Sequence, residues 1–262
     1  MDNQSVVLSI ENNVGIVTLN RPEVGNALDF QMAKELLDVA IACSENQEIR
    51  AVVITGAGNK FSVGGDLKSF ASEGEEIGSH LKIVTAYLHQ AISYFARMNK
   101  PLIGAINGIA AGAGMSLACA CDLAYASDNS KFVMAYNKVG LTPDGSGSYF
   151  LPRIVGMKRA LELMYTNRVL SGQEASEWGI VNDVVSEEQL MNVVIELAEN
   201  LAKGPVNAFG ATKKLFSHSL QETLESQMAI ESNVITERSI SQEGKEGISA
   251  FLEKREANFL PK

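Results

Sequence analysis

Positive charge is in short supply in this chain: 22 lysines and arginines stand against 31 aspartates and glutamates, a formal net charge of −9. No basic cluster offsets the deficit. That excludes the electrostatic footprint of a nucleic-acid binder and leaves nothing to hold an anionic lipid surface. Long apolar runs are missing too, since nothing reaches the ~18 residues that a membrane-spanning helix requires. The start, Met1-Asp2-Asn3-Gln4, is acidic and polar, without the basic and then apolar segments of an export signal, so a cytoplasmic location is expected. Cysteines number three, an odd set with no pairing framework. Cys119-Ala120-Cys121 has no histidine beside it to complete a metal site. All three thiols are therefore read as reduced and structural, and no metal is expected. The single tryptophan, Trp178, is read as a packing anchor rather than a stacking platform.

What is present is an ordinary globular chain of 262 residues, 46% hydrophobic and 20% charged, long enough to bury a sizeable core. Val6–Ile10 and Val14–Leu19 alternate around Asn12-Asn13 and predict a hairpin. Leu28–Ser44 carries apolar residues at helical spacing, with Asn26 available as its cap. Ala51–Thr55 is a short apolar strand running into Gly56-Ala57-Gly58-Asn59. The acidic run Glu73–Glu76 reads as a mobile surface loop. A long helix is predicted from about His80 to Met98. Pro101 opens a strand over Leu102–Asn107, a Gly/Ala run leads into a helix through Cys119, and Leu123–Ala126 is a further strand. Strands alternating with helices predict an α/β body joined by right-handed crossovers. The pattern changes near Gly204-Pro205, where Val206–Phe216, Leu220–Ser239 and Glu243–Asn258 read as three successive helices. The expected division is an α/β core over 1–203 and a helical region over 204–262.

Two small-residue turns each follow a predicted strand and precede a helix. They are Phe61-Ser62-Val63-Gly64-Gly65-Asp66-Leu67 and Asn107-Gly108-Ile109-Ala110-Ala111-Gly112-Ala113-Gly114-Met115. Small residues let a ligand approach the backbone, and the first turn of a helix presents unpaired N–H groups. Two such groups aimed at one oxygen form an oxyanion hole. Either turn alone is also explained by packing a strand against a helix. A dinucleotide site is excluded: Gly108, Gly112 and Gly114 do not make GxGxxG, and no acidic residue closes a second strand at the distance that fold needs.

Taken together, these stretches resemble a known family. Asn20-Arg21-Pro22 with Asn26-Ala27-Leu28, the Phe61–Leu67 turn, Lys100–Gly108, Gly112-Ala113-Gly114 and Cys121-Asp122-Leu123 follow the pattern of the crotonase (enoyl-CoA hydratase/isomerase) superfamily. Gly140-Leu141-Thr142-Pro143-Asp144-Gly145, Leu151–Gly156 and Phe251-Leu252-Glu253-Lys254-Arg255 complete it, in order, from about residue 6 to residue 259. The resemblance implies a ClpP-like α/β fold of repeated ββα units, with C-terminal helices that drive assembly into a homotrimer or a hexamer of two trimers. It implies an acyl-CoA or enoyl-CoA thioester as substrate, with coenzyme A part of that substrate and no separate cofactor. By the same resemblance Gly65 and Ala113 supply the amides for the thioester carbonyl. Ala27, Asp66, Leu67 and Tyr136 fall where relatives contact substrate or CoA. Lys254 falls where a lysine approaches the nucleotide end of CoA, commonly across a subunit boundary. On local grounds Lys254 is equally a solvated cation at a helix end.

Hydratases of this family add water with two glutamates. Aligned through Gly112-Ala113-Gly114, and through Phe132 and Gly140, those positions hold Ser116 and Tyr136, and neither is a carboxylate base. Asp144 is the carboxylate that remains. Dienoyl-CoA isomerases and the ring-epoxide isomerases of phenylacetate breakdown place an aspartate there. Moving a double bond needs only one base, which takes a proton at one carbon and returns it at another. The competing local reading of Thr142-Pro143-Asp144-Gly145 is a helix N-cap. A second similarity, over Ser79–Ile92, Ser148–Arg159 and Thr166–Arg168, is to 4-chlorobenzoyl-CoA dehalogenases. There the aspartate is a nucleophile, and the histidine matching His89 activates water. Gly65 and Leu88 stand where those enzymes carry bulky aromatics, and Tyr136 stands where they carry tryptophan. His89 also sits at the margin of its helix's apolar face, which suits a histidine without chemistry. Three readings stay open. The favoured one is an acyl-CoA isomerase with Asp144 as proton shuttle. The others are a hydrolytic aryl-CoA dehalogenase or thioesterase using Asp144 and His89, and a CoA-thioester-binding protein with little or no hydratase activity.

Overall fold

The computed structural model describes residues 4–260, so the polar start Met1-Asp2-Asn3, on which the cytoplasmic expectation drew, lies outside the described residues. Val6–Glu11 (β1) and Val14–Leu19 (β2) form the antiparallel hairpin that their alternation predicts. Asn12 and Asn13 close it with φ of 49° and 66°, the left-handed pair that a tight hairpin turn demands. Phe30–Glu45 (α1) follows. Its cap is Asp29, whose carboxylate accepts from Met32 N at 2.8 Å. Asn26, expected to cap this helix, is fully buried with φ 55° and holds a loop instead.

From here the chain repeats a pattern in which a longer strand enters a large sheet and a short one enters a small sheet. Ala51–Gly56 (β3) and Lys60–Ser62 (β4) lead to Leu67–Ser72 (α2) and Ile77–Arg97 (α3). Leu102–Ile106 (β5) and Ile109–Ala111 (β6) lead to Ala113–Ala120 (α4). Leu123–Ser127 (β7) and Lys131–Val133 (β8) lead to Gly147–Val155 (α5) and Met157–Thr166 (α6). Leu170–Ser171 (β9), Gly172–Glu177 (α7), Asp183–Val185 (β10) and Glu187–Ala202 (α8) complete this part. The large sheet has the order β1-β2-β3-β5-β7-β10 and is parallel beyond the opening hairpin; the small one runs β4-β6-β8-β9. The acidic run is not a free loop: Gly74–Glu76 is an exposed 3-10 turn that feeds α3, so that helix starts at Ile77 rather than near His80.

Strands β3 and β5 are apolar on both faces because both faces are covered. Val52 and Ile54 join the main core with Leu36, Phe61, Phe95 and Phe132, while Ala51, Val53, Ile103 and Ala105 pack on Leu190, Val194 and Ala198 of α8. The last three helices, Val206–Ser219 (α9), Leu224–Ile240 (α10) and Gln242–Glu253 (α11), follow with no strand between them. Arg50 ties this region to the sheet, donating to Ala202 O at 2.5 Å, Gly204 O at 2.8 Å and Phe259 O at 3.0 Å. Among the described residues no helix is long and apolar enough to cross a membrane.

Candidate active site

Asn26 explains how the first small-residue turn is held. Its Nδ2 donates to Ala57 O, Lys60 O and Phe61 O at 2.8–3.2 Å, and its Oδ1 accepts from Arg21 N at 2.9 Å. A short polar side chain thus pins the β2–α1 connection to the β3–β4 connection. Just beyond, Leu28 N donates to Gly64 O at 2.8 Å and Asp66 N to Leu28 O at 2.9 Å, an isolated parallel bridge. In that register the N–H of Gly65, the residue between, faces away from Leu28.

The second turn lies against the first because β4 and β6 pair, with Ser62 opposite Ala110. Two glycines set how closely they meet. A β-carbon on Gly64, where φ is +92°, would stand 2.8 Å from Ala111 O and 3.2 Å from Ala113 N; one on Gly114 would strike Ser62 O at 2.5 Å. Ala113 opens α4, so its N–H has no intrahelical acceptor. Among the described residues neither Gly65 N nor Ala113 N donates to a protein acceptor. Two unpaired backbone donors thus lie on abutting turns, the kind of pair from which an oxyanion hole is built.

The carboxylate comes from the segment between β8 and α5. Tyr136 begins a 3-10 turn after β8, entered through Ala135 at φ 56°. Its phenol donates to Asp144 Oδ1 at 2.6 Å and lies 3.2 Å from the Oγ of buried Ser116 on α4. Ser116, Tyr136 and Asp144 therefore form one hydrogen-bonded chain. Burial, reinforced by the adjacent Asp144 carboxylate, pushes the Tyr136 phenol above its ordinary range, so it donates and does not ionise. The helix-cap reading of Asp144 fails: the cap of α5 is Ser146, at φ 67°, and the aspartate's carboxylate is on Tyr136. Left-handed Gly145 (φ 55°) and Ser146 in succession give a strained turn, with Ser146 alone costing on the order of 1 kcal/mol. Exposed His89 on α3 reaches this turn, its Nε2 accepting from Gly145 N at 3.1 Å.

The remaining expected residues lie around Arg21. The Ala27 carbonyl accepts from Arg21 Nη1 at 2.6 Å. Asp66 caps α2 through Ser69 N at 3.1 Å and pairs with Arg21 at 3.1 Å, so its carboxylate is committed to structure. Leu67 is exposed at the start of α2. Lys254 ends α11 in the left-handed conformation and is exposed. Tyr136, grouped above with residues that contact substrate or CoA, bonds the Asp144 carboxylate. Phe70 has no precedent in the sequence reading: its ring lies 2.7 Å from where a β-carbon of Gly65 would be, filling the space which that glycine leaves. A cavity of about 830 Å³ lies between α3, α5 and α9. It touches the Asp144 turn at Ser146 and is lined by His89, but neither unpaired amide borders it.

The family model described as enoyl-CoA hydratase/isomerase matches residues 9–262. The chain belongs to this family. It is 39% identical to 4-chlorobenzoyl coenzyme A dehalogenase-2 of Arthrobacter sp over 222 residues, 84% of this chain and 80% of that one. It is 34% identical to the 1,2-epoxyphenylacetyl-CoA isomerase of Escherichia coli (strain K12) over 258 residues, 98% of each. The crystal structure of an enoyl-CoA hydratase from Polaromonas sp. JS666 superposes with a TM-score of 0.92 at 36% identity, over 97% of this chain and 98% of that one. The crotonase fold of the family is thus the fold of this chain. Among the described residues no three His, Cys, Asp or Glu side chains gather as a metal site. Burial pushes the Cys43 and Cys119 thiols up to about 12 and Cys121 higher still, far from the range of a reactive thiolate.

Proposed function

We propose that this member of the family isomerises an acyl-CoA thioester, migrating a double bond or ring bond through an enolate, with Asp144 as the proton shuttle. The observation that carries this reading is the chain Ser116–Tyr136–Asp144, in which one carboxylate ends a run of two neutral hydroxyls. Adding water across a double bond calls for a base on the water and an acid on the carbon, and Ser116 and Tyr136 supply neither at the positions where hydratases of the family carry glutamates.

In the proposed reaction the thioester oxygen accepts from Gly65 N–H and Ala113 N–H. Tyr136 occupies Asp144 Oδ1, which leaves Oδ2 to take a proton from one carbon. The C–H electron pair enters the conjugated enolate, and the charge rests on the thioester oxygen against the two amides. The same proton then passes from Oδ2 to another carbon, the electrons form the new C–H bond, and the carbonyl is restored. No group is consumed. Lys254 and the exposed apolar residues of the last helices support assembly as a homotrimer or a pair of trimers, with CoA held near a subunit boundary.

The test is a panel of 3-enoyl-, 2-enoyl-, dienoyl-, epoxyphenylacetyl- and halobenzoyl-CoA thioesters followed spectroscopically. Isomerisation is expected, and Asp144→Asn should lower it by about 10³-fold or more. Release of halide from halobenzoyl-CoA would overturn the isomerase reading in favour of hydrolysis. Tight thioester binding with no turnover of any panel member would leave a binding protein.

A further inference from the structure

Asp144 sits in a turn closed within itself by one backbone bond, Gly147 N donating to Asp144 O at 3.0 Å. Gly145 and Ser146 are both left-handed, and Ser146 caps α5 without a side-chain bond to that helix. Two helices meet the turn from outside: α4, whose Ser116 Cβ would lie 3.3 Å from a β-carbon on Gly145, and α3, a helix of 21 residues. A β-carbon on Gly145 would lie 3.7 Å from Leu88 Cδ2 and 3.6 Å from Ile92 Cδ1, so the two side chains form a floor under it. Between them in sequence His89 reaches up, and its Nε2 accepts the Gly145 N–H at 3.1 Å.

We infer that His89 is a positioning residue: a neutral hydrogen-bond acceptor that fixes the Asp144 turn to α3, rather than a base that activates water. This rests on the assignment of Asp144 as the proton shuttle. An imidazole whose Nε2 accepts from an amide carries its proton on Nδ1, a tautomer assigned here from the partner's N–H. The lone pair that a general base would turn toward water is already directed at Gly145. The geometry also divides the work. His89 holds the backbone of the turn, Tyr136 holds the side chain of Asp144 at Oδ1, and Oδ2 is the atom left to react. A rigid helix thereby sets the place of a carboxylate carried on an irregular segment, and proton transfer depends on placement to a fraction of an ångström.

Two measurements on the full-length protein test this. Hydrogen–deuterium exchange of the peptide spanning 141–149, read by mass spectrometry without substrate, reports the turn. Steady-state kinetics on the thioester that the wild type turns over reports the carboxylate. His89→Ala should speed exchange in that peptide and lower kcat by roughly 10- to 100-fold, with KM within about threefold. His89→Gln, whose Oε1 can accept in place of Nε2, should restore most of both. Unchanged exchange in His89→Ala overturns the proposal. So does a glutamine variant with restored exchange but the alanine variant's kcat, or one that accumulates a covalent adduct on Asp144 with halobenzoyl-CoA. If the wild type turns over no thioester the isomerase reading fails by itself, and the exchange arm still decides whether His89 holds the turn.

Discussion

Tyr136 has one hydroxyl between two neighbours, and what it gives each differs. To Asp144 it gives a hydrogen bond at 2.6 Å; for Ser116 it is the partner of a buried hydroxyl. Tyr136→Phe should therefore lower kcat by roughly 10- to 100-fold by freeing the carboxylate, and destabilise the fold by about 1 kcal/mol. If Tyr136 served to contact substrate instead, KM would rise and kcat would hold. Its ionisation adds a second check. Burial raises the phenol in the folded state above its ordinary value of 10.0, so folding binds this proton more tightly than the unfolded chain does. The associated stability is whole below that pH and declines as pH climbs through the folded-state value. In urea titrations the advantage of wild type over Tyr136→Phe should accordingly shrink between pH 9 and pH 11; an advantage that grows would contradict the assignment. At this scale the candidate residues were legible, because Ser116, Tyr136 and Asp144 stand at aligned positions. Their mutual bonding was not. It depends on left-handed Ala135, Gly145 and Ser146, and only the glycine announces such a backbone in sequence.

Lys100 shows how an element can be finished by a residue far from it in sequence. The carbonyls of Cys43, Ser44 and Asn46, at the end of α1, all accept from Lys100 Nζ at 2.5–3.0 Å. Only 8% of Lys100 is exposed, and burial lowers its ammonium below the ordinary lysine range. A cation at a helix C-terminus is favourable, but here it also satisfies acceptors that water barely reaches. Lys100→Met should cost about 2–3 kcal/mol, seen as a lower urea midpoint with an unchanged slope. A midpoint equal to wild type would mean that the helix end finds other partners. The elements themselves were unevenly readable. The hairpin, α1, β3 and the three last helices follow from periodicity over many residues. Strands β4, β6, β8 and β9 have two or three residues each, too few to display a period, yet they carry the small sheet on which both amide turns rest. Asn26 and Asp29 are both good caps by type. Burial of Asn26 among four backbone partners decided between them, and no local rule contains that.

For the whole molecule the telling feature is α10, a helix of 17 residues none of which is buried within its own chain. An isolated helix of that length is marginal in water, and Leu224, Ile235 and Ile240 on it are each about two-thirds exposed. On α11, Phe251 is 82% and Leu252 74% exposed. Exposed apolar surface of this kind fits the proposed assembly. With the proposed assembly, light scattering should give about three or six times the 28.2 kDa chain mass, and Phe251→Asp with Leu252→Ser should yield a single chain. A wild type that runs as one chain would sink the assembly. The kinetic consequence is sharper. Gly65, Ala113, Tyr136 and Asp144 all come from one chain, whereas Lys254 lies two residues beyond the exposed pair Phe251-Leu252. If a neighbour's Lys254 holds the nucleotide end of CoA, dissociation should raise KM by on the order of tenfold, the worth of one charged hydrogen bond, and leave kcat per site nearly intact. A collapse of kcat on dissociation would mean instead that the neighbour braces the Asp144 turn itself.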